Sequence, residues 1–149
     1  MQTSIPAQLL NHPDMAEADS ILRACVHCGF CNATCPTYQL LGSELDGPRG
    51  RIYLIKEMLE TGEATNKTRL HLDRCLTCRA CETTCPSGVQ YGRLVDIGRE
   101  MVEAKAPRSV PQKLLRQAML TVIPYTARMA LALKLARLFR PLLPLQLRK

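Results

Sequence analysis

The 149-residue sequence has no tryptophan, two phenylalanines and four tyrosines. A core must therefore be built from aliphatic side chains and from whatever else the chain encloses. There is no G-x-G-x-x-G fingerprint and no P-loop, and the three histidines (His12, His27, His71) form no ligand pattern. Nothing reads as machinery for binding a flavin or turning over an organic substrate. Met1–Ser20 has neither a basic n-region nor an apolar h-region, so no signal peptide is expected there. Strand-like alternation is missing between 36 and 74. Acidic residues are missing from 104–149, which carry 10 Lys/Arg, whereas residues 1–103 hold all 13 Asp/Glu and 10 Lys/Arg, a net −3 against +10. Stacking aromatics are nearly absent from that basic stretch, which argues against nucleic acid as a partner. With 46% hydrophobic and 22% charged residues the chain is not disordered by composition.

What is present is cysteine, eight residues in two runs. Cys25-Val26-His27-Cys28-Gly29-Phe30-Cys31-Asn32-Ala33-Thr34-Cys35-Pro36 and Cys75-Leu76-Thr77-Cys78-Arg79-Ala80-Cys81-Glu82-Thr83-Thr84-Cys85-Pro86 both read C-x2-C-x2-C-x3-C-P, the second at a constant offset of 50 residues. This is the bacterial iron–sulfur ligand run. Three thiolates at i, i+3 and i+6 wrap one cubane, and the fourth, before proline, ligates the other cluster in two-cluster proteins. The expected sets are Cys25, Cys28, Cys31 and Cys85 for cluster I, and Cys75, Cys78, Cys81 and Cys35 for cluster II, both [4Fe–4S]. Zinc would call for two C-x2-4-C pairs across a longer loop. A disulfide framework would call for an oxidising compartment. Both alternatives fit the crowding of three cysteines into seven residues less well.

The rest of the chain reads as all-α. Residues 1–13 are expected to be a loose lead, broken by Pro6 and Pro13. Asp14 can cap a helix to about Ala24, with Met15, Ala18, Leu22 and Cys25 on one face. Thr37–Gly42 is a short apolar connection. Asp46-Gly47-Pro48 opens a helix with the stripe Ile52, Ile55, Met58 and Leu59, an i,i+4 pair Lys56–Glu60, and a stop at Thr61-Gly62. A short helix is expected from Asn66 to Arg74. Another is expected from a Ser87 cap to about Lys105, carrying Tyr91, Leu94, Val95, Met101 and Val102, with Gly98 on the same face permitting close approach. The organisation expected is a cluster-binding domain over 14–106 and a basic amphipathic helical tail over 107–149. In the tail, Pro111, Pro124, Pro141 and Pro144 divide helical pieces at roughly 112–123 and 125–140, the second too short and too charged to span a bilayer. Leu114, Leu115, Ala118, Met119 and Val122 give the first piece an apolar face. The second piece, around Leu131, Leu135, Leu138 and Phe139, has more apolar surface than a small domain covers. Ten positive charges would draw this stretch to anionic lipid, at about 1 kcal/mol each near the surface, or to an acidic subunit; burial under further protein is the third alternative.

Around the runs, Thr34, Thr77 and Thr84 can donate to cluster sulfurs or serve the backbone locally. His27 reads as exposed or as a sulfur hydrogen-bond donor rather than an iron ligand. Arg74 and Arg79 flank the second run, either offsetting cluster charge or facing solvent or a partner. Arg49 and Arg51 sit in the first turn of a helix, where the dipole disfavours cations, so something anionic must compensate: a cluster, an acidic partner, or Glu44 and Asp46.

The stretch from Thr37-Tyr38-Gln39-Leu40-Leu41-Gly42 to Glu44-Leu45-Asp46-Gly47-Pro48-Arg49-Gly50-Arg51-Ile52-Tyr53-Leu54-Ile55-Lys56, with Leu72-Asp73-Arg74-Cys75-Leu76-Thr77-Cys78 and Asp96-Ile97-Gly98-Arg99, resembles the iron–sulfur subunits of bacterial glycolate oxidase (glycolate dehydrogenase). The resemblance covers about residues 16–105 closely and the tail loosely. The cysteine runs are shared with lactate-utilisation proteins, the anaerobic glycerol-3-phosphate dehydrogenase small subunit and heterodisulfide-reductase-like subunits. The resemblance implies an α-helical ferredoxin domain with two [4Fe–4S] clusters, fed by FAD-containing dehydrogenase subunits that oxidise glycolate, and often D-lactate, to the 2-oxo acid. Electrons would then pass toward the respiratory chain at the cytoplasmic side of the inner membrane, with the subunit bound peripherally. Members of that family continue into two cysteine-rich CCG-type domains, which this sequence does not include.

Overall fold

The computed structural model describes residues 1–139, with side chains through Arg137. Arg140, Pro141, Pro144 and the rest of 140–149, and the expected apolar contribution of Leu138 and Phe139, lie outside the described side chains. Among the described residues there is no strand, so the all-α expectation holds. The chain divides into two compact units, Met1–Pro107 and Arg108–Lys149.

The first unit holds α1 (Ala7–Leu10), α2 (Pro13–Ala24), α3 (Phe30–Ala33), α4 (Pro36–Leu41), a 3-10 turn (Glu44–Asp46), α5 (Pro48–Thr61), α6 (Asn66–Asp73), α7 (Ala80–Thr83) and α8 (Tyr91–Lys105). Prolines open α2, α4 and α5 at the first helical position, where a missing N–H costs nothing. Thr65 caps α6 by accepting from Thr68 N at 3.1 Å. Gly62, at φ +74°, ends α5 in the left-handed conformation. Helix α8 packs on α2, α5 and α6. The core they enclose is aliphatic: Ala18, Ile21 and Leu22 from α2, Ile52, Ile55, Met58 and Leu59 from α5, Leu72 from α6, and Leu94, Val95, Ile97 and Val102 from α8. Each fully buried Leu or Ile contributes about 1.5–3 kcal/mol. A Cβ on Gly98 would stand 2.8 Å from Ile55 Cγ1, so α8 meets α5 at the glycine expected to allow it. Lys56 Nζ and Glu60 Oε2 pair at 2.9 Å.

Three expectations need correction. The lead is not wholly loose, because one helical turn forms at α1. Pro13, not Asp14, opens α2. Helix α8 starts at Tyr91 rather than at a Ser87 cap: Gly88 takes φ +63°, which breaks the helical path after Pro86 and drops Val89 into the core. The one-turn helices α3 and α7, and α4 in the stretch read as a connection, are too short to carry a hydrophobic period.

In the second unit, α9 (Val110–Val122) and α10 (Thr126–Phe139) meet at a 112° bend, where Pro124 cannot continue a helix. The bend is held by Arg128 Nη1 donating to Thr121 O at 2.9 Å and stacking 4.4 Å over the Tyr125 ring. Leu114, Leu115, Met119, Leu120, Ile123, Leu131 and Leu135 are exposed. No single helix among the described residues is long and apolar enough to cross a membrane.

Candidate iron–sulfur centre

The offset of 50 that relates the cysteines extends to the backbone. Cys25 N donates to Leu22 O and Cys75 N to Leu72 O; Asn32 N donates to Gly29 O and Glu82 N to Arg79 O; Cys35 N donates to Asn32 O and Cys85 N to Glu82 O. His27 and Thr77 have φ of 59° and 55°, and Gly29 and Arg79 have φ of 86° and 59°. A left-handed conformation costs a non-glycine residue about 1–2 kcal/mol. Strain repeated at matching positions of two loops points to a ligand geometry that both must meet. The side chains at positions 32 and 82, related by the same offset of 50, also match in role. Asn32 Oδ1 accepts from Arg49 N at 3.4 Å at the start of α5, and Glu82 Oε1 accepts from Gly92 N at 2.6 Å at the start of α8. Each cysteine loop thereby seats the start of its own long helix.

No disulfide joins any of the eight cysteines, and together they line two cavities. Cys25, Cys28, Cys31, Cys81 and Cys85 line the first; Cys35, Cys75, Cys78 and Cys81 line the second. Pro48, Cys81 and Tyr91 border both. The runs are tied to each other by Thr34 Oγ1 donating to Ala80 O at 3.3 Å and Thr84 Oγ1 to Thr34 Oγ1 at 3.5 Å. Burial, reinforced by the neighbouring Cys25, Cys85 and Cys28, pushes the Cys31 thiol up to about 11 against a backbone hydrogen bond that lowers it. Burial, then Cys31, Cys75 and Cys35, push Cys81 up to about 12. Thiolates crowded this way need a positive core to share, which iron supplies. Among the described residues no three His, Cys, Asp or Glu side chains converge on a point that one ion could occupy. Thiolates that each bind a different corner of a four-iron core stand farther apart than ligands of a single ion. The donor chemistry and its spacing fit two [4Fe–4S] clusters.

The surrounding residues sort themselves. His27 is half-buried and lines the first cavity, and its Nε2 is buried without a hydrogen-bond partner; desolvation, then Arg49, holds its pKa below the usual histidine value. Thr34 and Thr84 serve backbone carbonyls, and Thr77 accepts from Arg99 Nη1 at 2.9 Å. Arg99 also donates to Leu72 O and Cys75 O, clamping the second loop. Of the two arginines at the start of α5, Arg49 pairs with Glu44 at 2.6 Å. Arg51 is buried among Asp46, His71, Thr37 and Cys35. Arg74 pairs with Asp46 at 3.1 Å, and Arg79 lines the second cavity. For Asp46, burial raises the pKa, but the His71 hydrogen bond and charge, with Arg74, outweigh it and hold the carboxyl below the usual range.

Two contacts carry no signal in the sequence. Thr37 Oγ1 lies 3.2 Å from Cys35 Sγ, and the Tyr91 hydroxyl donates toward Cys75 Sγ at 3.6 Å. The aromatic period of α8 marked Tyr91 as core, which it also is; nothing local marked Thr37.

Residues 21–89 match the 4Fe-4S dicluster domain family. Fold, donor set and this match together make the chain an all-α, two-cluster iron–sulfur protein. It is 59% identical over 148 residues to the glycolate oxidase iron–sulfur subunit of Escherichia coli, an alignment that takes in 99% of this chain and 36% of the relative. It is 38% identical over 122 residues to the probable glycolate oxidase iron–sulfur subunit of Bacillus subtilis, covering 78% of this chain and 27% of the relative. A mitochondrial succinate dehydrogenase iron–sulfur subunit from Candida glabrata is 28% identical over 81 residues, half of this chain and 32% of that protein. The resemblance drawn from the motifs, to glycolate oxidase iron–sulfur subunits, thus holds over nearly the whole chain. The chain spans about a third of the length of the relatives it matches.

Proposed function

We propose that this chain carries electrons within a glycolate oxidase-type complex, from FAD-containing dehydrogenase subunits that oxidise glycolate, and D-lactate with it, toward the respiratory chain. The observation that carries this reading is the pairing of two cysteine cavities with 59% identity to a glycolate oxidase iron–sulfur subunit across 99% of the chain. Cys25, Cys28, Cys31 and Cys85 would hold one cluster and Cys75, Cys78, Cys81 and Cys35 the other; the lining of the two cavities supports this crossed arrangement. When bound, each [4Fe–4S] cluster supplies one-electron chemistry, which lets a two-electron flavin donor feed one-electron acceptors. The chain's own contribution is enclosure and access. Ile52, Val89 and Tyr91 wall the first cavity from within, while Cys28 and Cys78 are exposed, between exposed Val26 and Phe30 and beside exposed Leu76 respectively. Those edges are where a partner's redox centre can approach.

The test is anaerobic co-purification with the flavoprotein subunits, followed by dye reduction with glycolate, D-lactate and glycerol 3-phosphate. Glycolate and D-lactate should reduce the dye, and reduction should fail when this chain is omitted. Reduction by glycerol 3-phosphate alone would overturn the donor assignment. We extend the proposal to the cytoplasmic face of the inner membrane, supported by the exposed leucines of α9 and α10 and the absence of acid from 104–149. Flotation with anionic but not neutral vesicles at low salt is the expected result; a chain that never floats loses the membrane role.

A further inference from the structure

Arg51 heads the fully buried side chains by volume, at 1% exposure. A buried guanidinium is tolerated only where charge and hydrogen bonds compensate it. Its Nε donates to His71 O at 2.7 Å, its Nη2 to Thr37 Oγ1 at 3.1 Å, and its Nη1 reaches Cys35 Sγ at 3.9 Å. Its carboxylate neighbour is over-subscribed. Asp46 Oδ1 is taken by His71 Nδ1 at 2.9 Å and Oδ2 by Arg74 Nη1 at 3.1 Å, while Arg51 stands off at 3.8 Å. One buried carboxylate, also 1% exposed, is shared among three basic side chains. The remaining anions that Arg51 faces are the cysteine thiolates of the second cavity, which it lines.

We infer that Arg51 sets the order of the two reduction potentials, making the site of Cys35, Cys75, Cys78 and Cys81 the easier one to reduce. The inference rests on the crossed two-cluster reading above. One-electron reduction adds one negative charge to a site, and a fixed cation in a low-dielectric surround stabilises that charge. The first cavity has no buried guanidinium on its lining: Arg49 is partly exposed and spent on Glu44 at 2.6 Å, His27 is only half-buried, and Val26, Ile52 and Val89 stand beside them. The second cavity adds the Tyr91 hydroxyl at Cys75 Sγ and the Arg79 side chain on its lining; hydrogen bonds to ligand sulfur raise potential further.

The experiment uses the full chain purified anaerobically, assayed for iron and sulfide, and titrated with dithionite while electron paramagnetic resonance follows the two one-electron steps. Arg51→Gln should keep its iron and lower the upper step by at least tenfold in the reduction equilibrium, 59 mV for one electron, with a smaller change in the lower step. Asp46→Asn, which leaves the cations less compensated, should move the upper step the opposite way. An upper step unmoved in loaded Arg51→Gln, or a shift confined to the lower step, overturns the inference. Should Arg51→Gln lose its iron, Asp46→Asn decides: an upper step that stays or falls overturns it. A parent chain holding about four iron instead of about eight defeats the two-cluster reading itself, and the inference with it; that outcome is visible in the iron assay before any potential is measured.

Discussion

Around Cys25, Cys28, Cys31 and Cys85 the wall is Val26, Ile52, Val89, a half-buried His27 and an Arg49 tied to Glu44; around Cys35, Cys75, Cys78 and Cys81 it is Thr37, a buried Arg51, Arg79 and the hydroxyl of Tyr91. The two loops themselves are near copies, with matching backbone hydrogen bonds and matching left-handed residues. The difference teaches a division of labour. Ligand geometry is written into the repeat, and electrostatics is written into what the repeat packs against. A potential difference between two chemically identical centres can therefore arise without touching a ligand.

The largest expected effect tests whether the two cavities are crossed. Cys35→Ser should strip the centre of Cys75, Cys78 and Cys81, and Cys85→Ser that of Cys25, Cys28 and Cys31, each leaving about half the iron. Spectra of the two variants read which centre survives; if each variant loses the centre of its own run, the crossed sets are wrong.

A smaller effect separates the two sides of the fold. A Cβ on Gly50 would lie 2.1 Å from Glu44 O, a backbone atom that cannot swing aside, because α5 starts directly against the 3-10 turn. Gly50→Ala should cost about 3 kcal/mol in urea unfolding, and the displaced Asp46 and Arg51 should disturb the second cavity more than the first. Equal disturbance of both would mean that the turn supports the domain at large.

Much of this frame was legible in the sequence. The cysteine spacing, the stripe Ile52, Ile55, Met58 and Leu59, and Gly98 all carry local signals: a motif, a period of 3.6, and a missing side chain on an apolar face. The turn after Pro86 is not legible in the sequence because Ser87 is a good cap in isolation, while Gly88 takes a conformation that only the tertiary fold selects. The second cavity's character was hidden for a different reason. Arg51, Asp46, His71 and Thr37 are polar residues scattered over 35 positions, and polarity alone predicts exposure. The helix dipole marks Arg49 and Arg51 as needing anions, but only the packing reveals that Glu44 answers one and the Asp46–Cys35 environment the other.

The hydroxyl of Tyr91 offers a gentler probe of the same asymmetry. It lies on the border of both cavities but donates toward Cys75 Sγ. Tyr91→Phe should cost the reduced second site about 1 kcal/mol, about fivefold in its reduction equilibrium, and leave the first site nearly unmoved. Equal shifts in the two steps would show that the hydroxyl acts through the general field.

The smallest expected effect concerns the loops. Arg79 holds φ +59° at the position where the first run has Gly29 at φ +86°. Glycine adopts that conformation freely, whereas arginine does so at a cost of about 1–2 kcal/mol. Arg79→Gly would make the second loop match the first. Glycine also loses more backbone entropy on folding, which takes back about 0.5–1 kcal/mol, so the net gain in stability should be at most about 1.5 kcal/mol, read as a small rise in urea midpoint with unchanged iron content. The same change removes a cation from the lining of the second cavity, so its potential should fall even as the fold becomes firmer. Stability and potential moving in opposite directions is the signature of a charge retained for electrostatics at the expense of backbone strain. A variant that loses stability, or gains it with no change in potential, would show instead that Arg79 is held by its packing over Gly92 and Glu82, where a Cβ on Gly92 would meet its Nε at 2.6 Å.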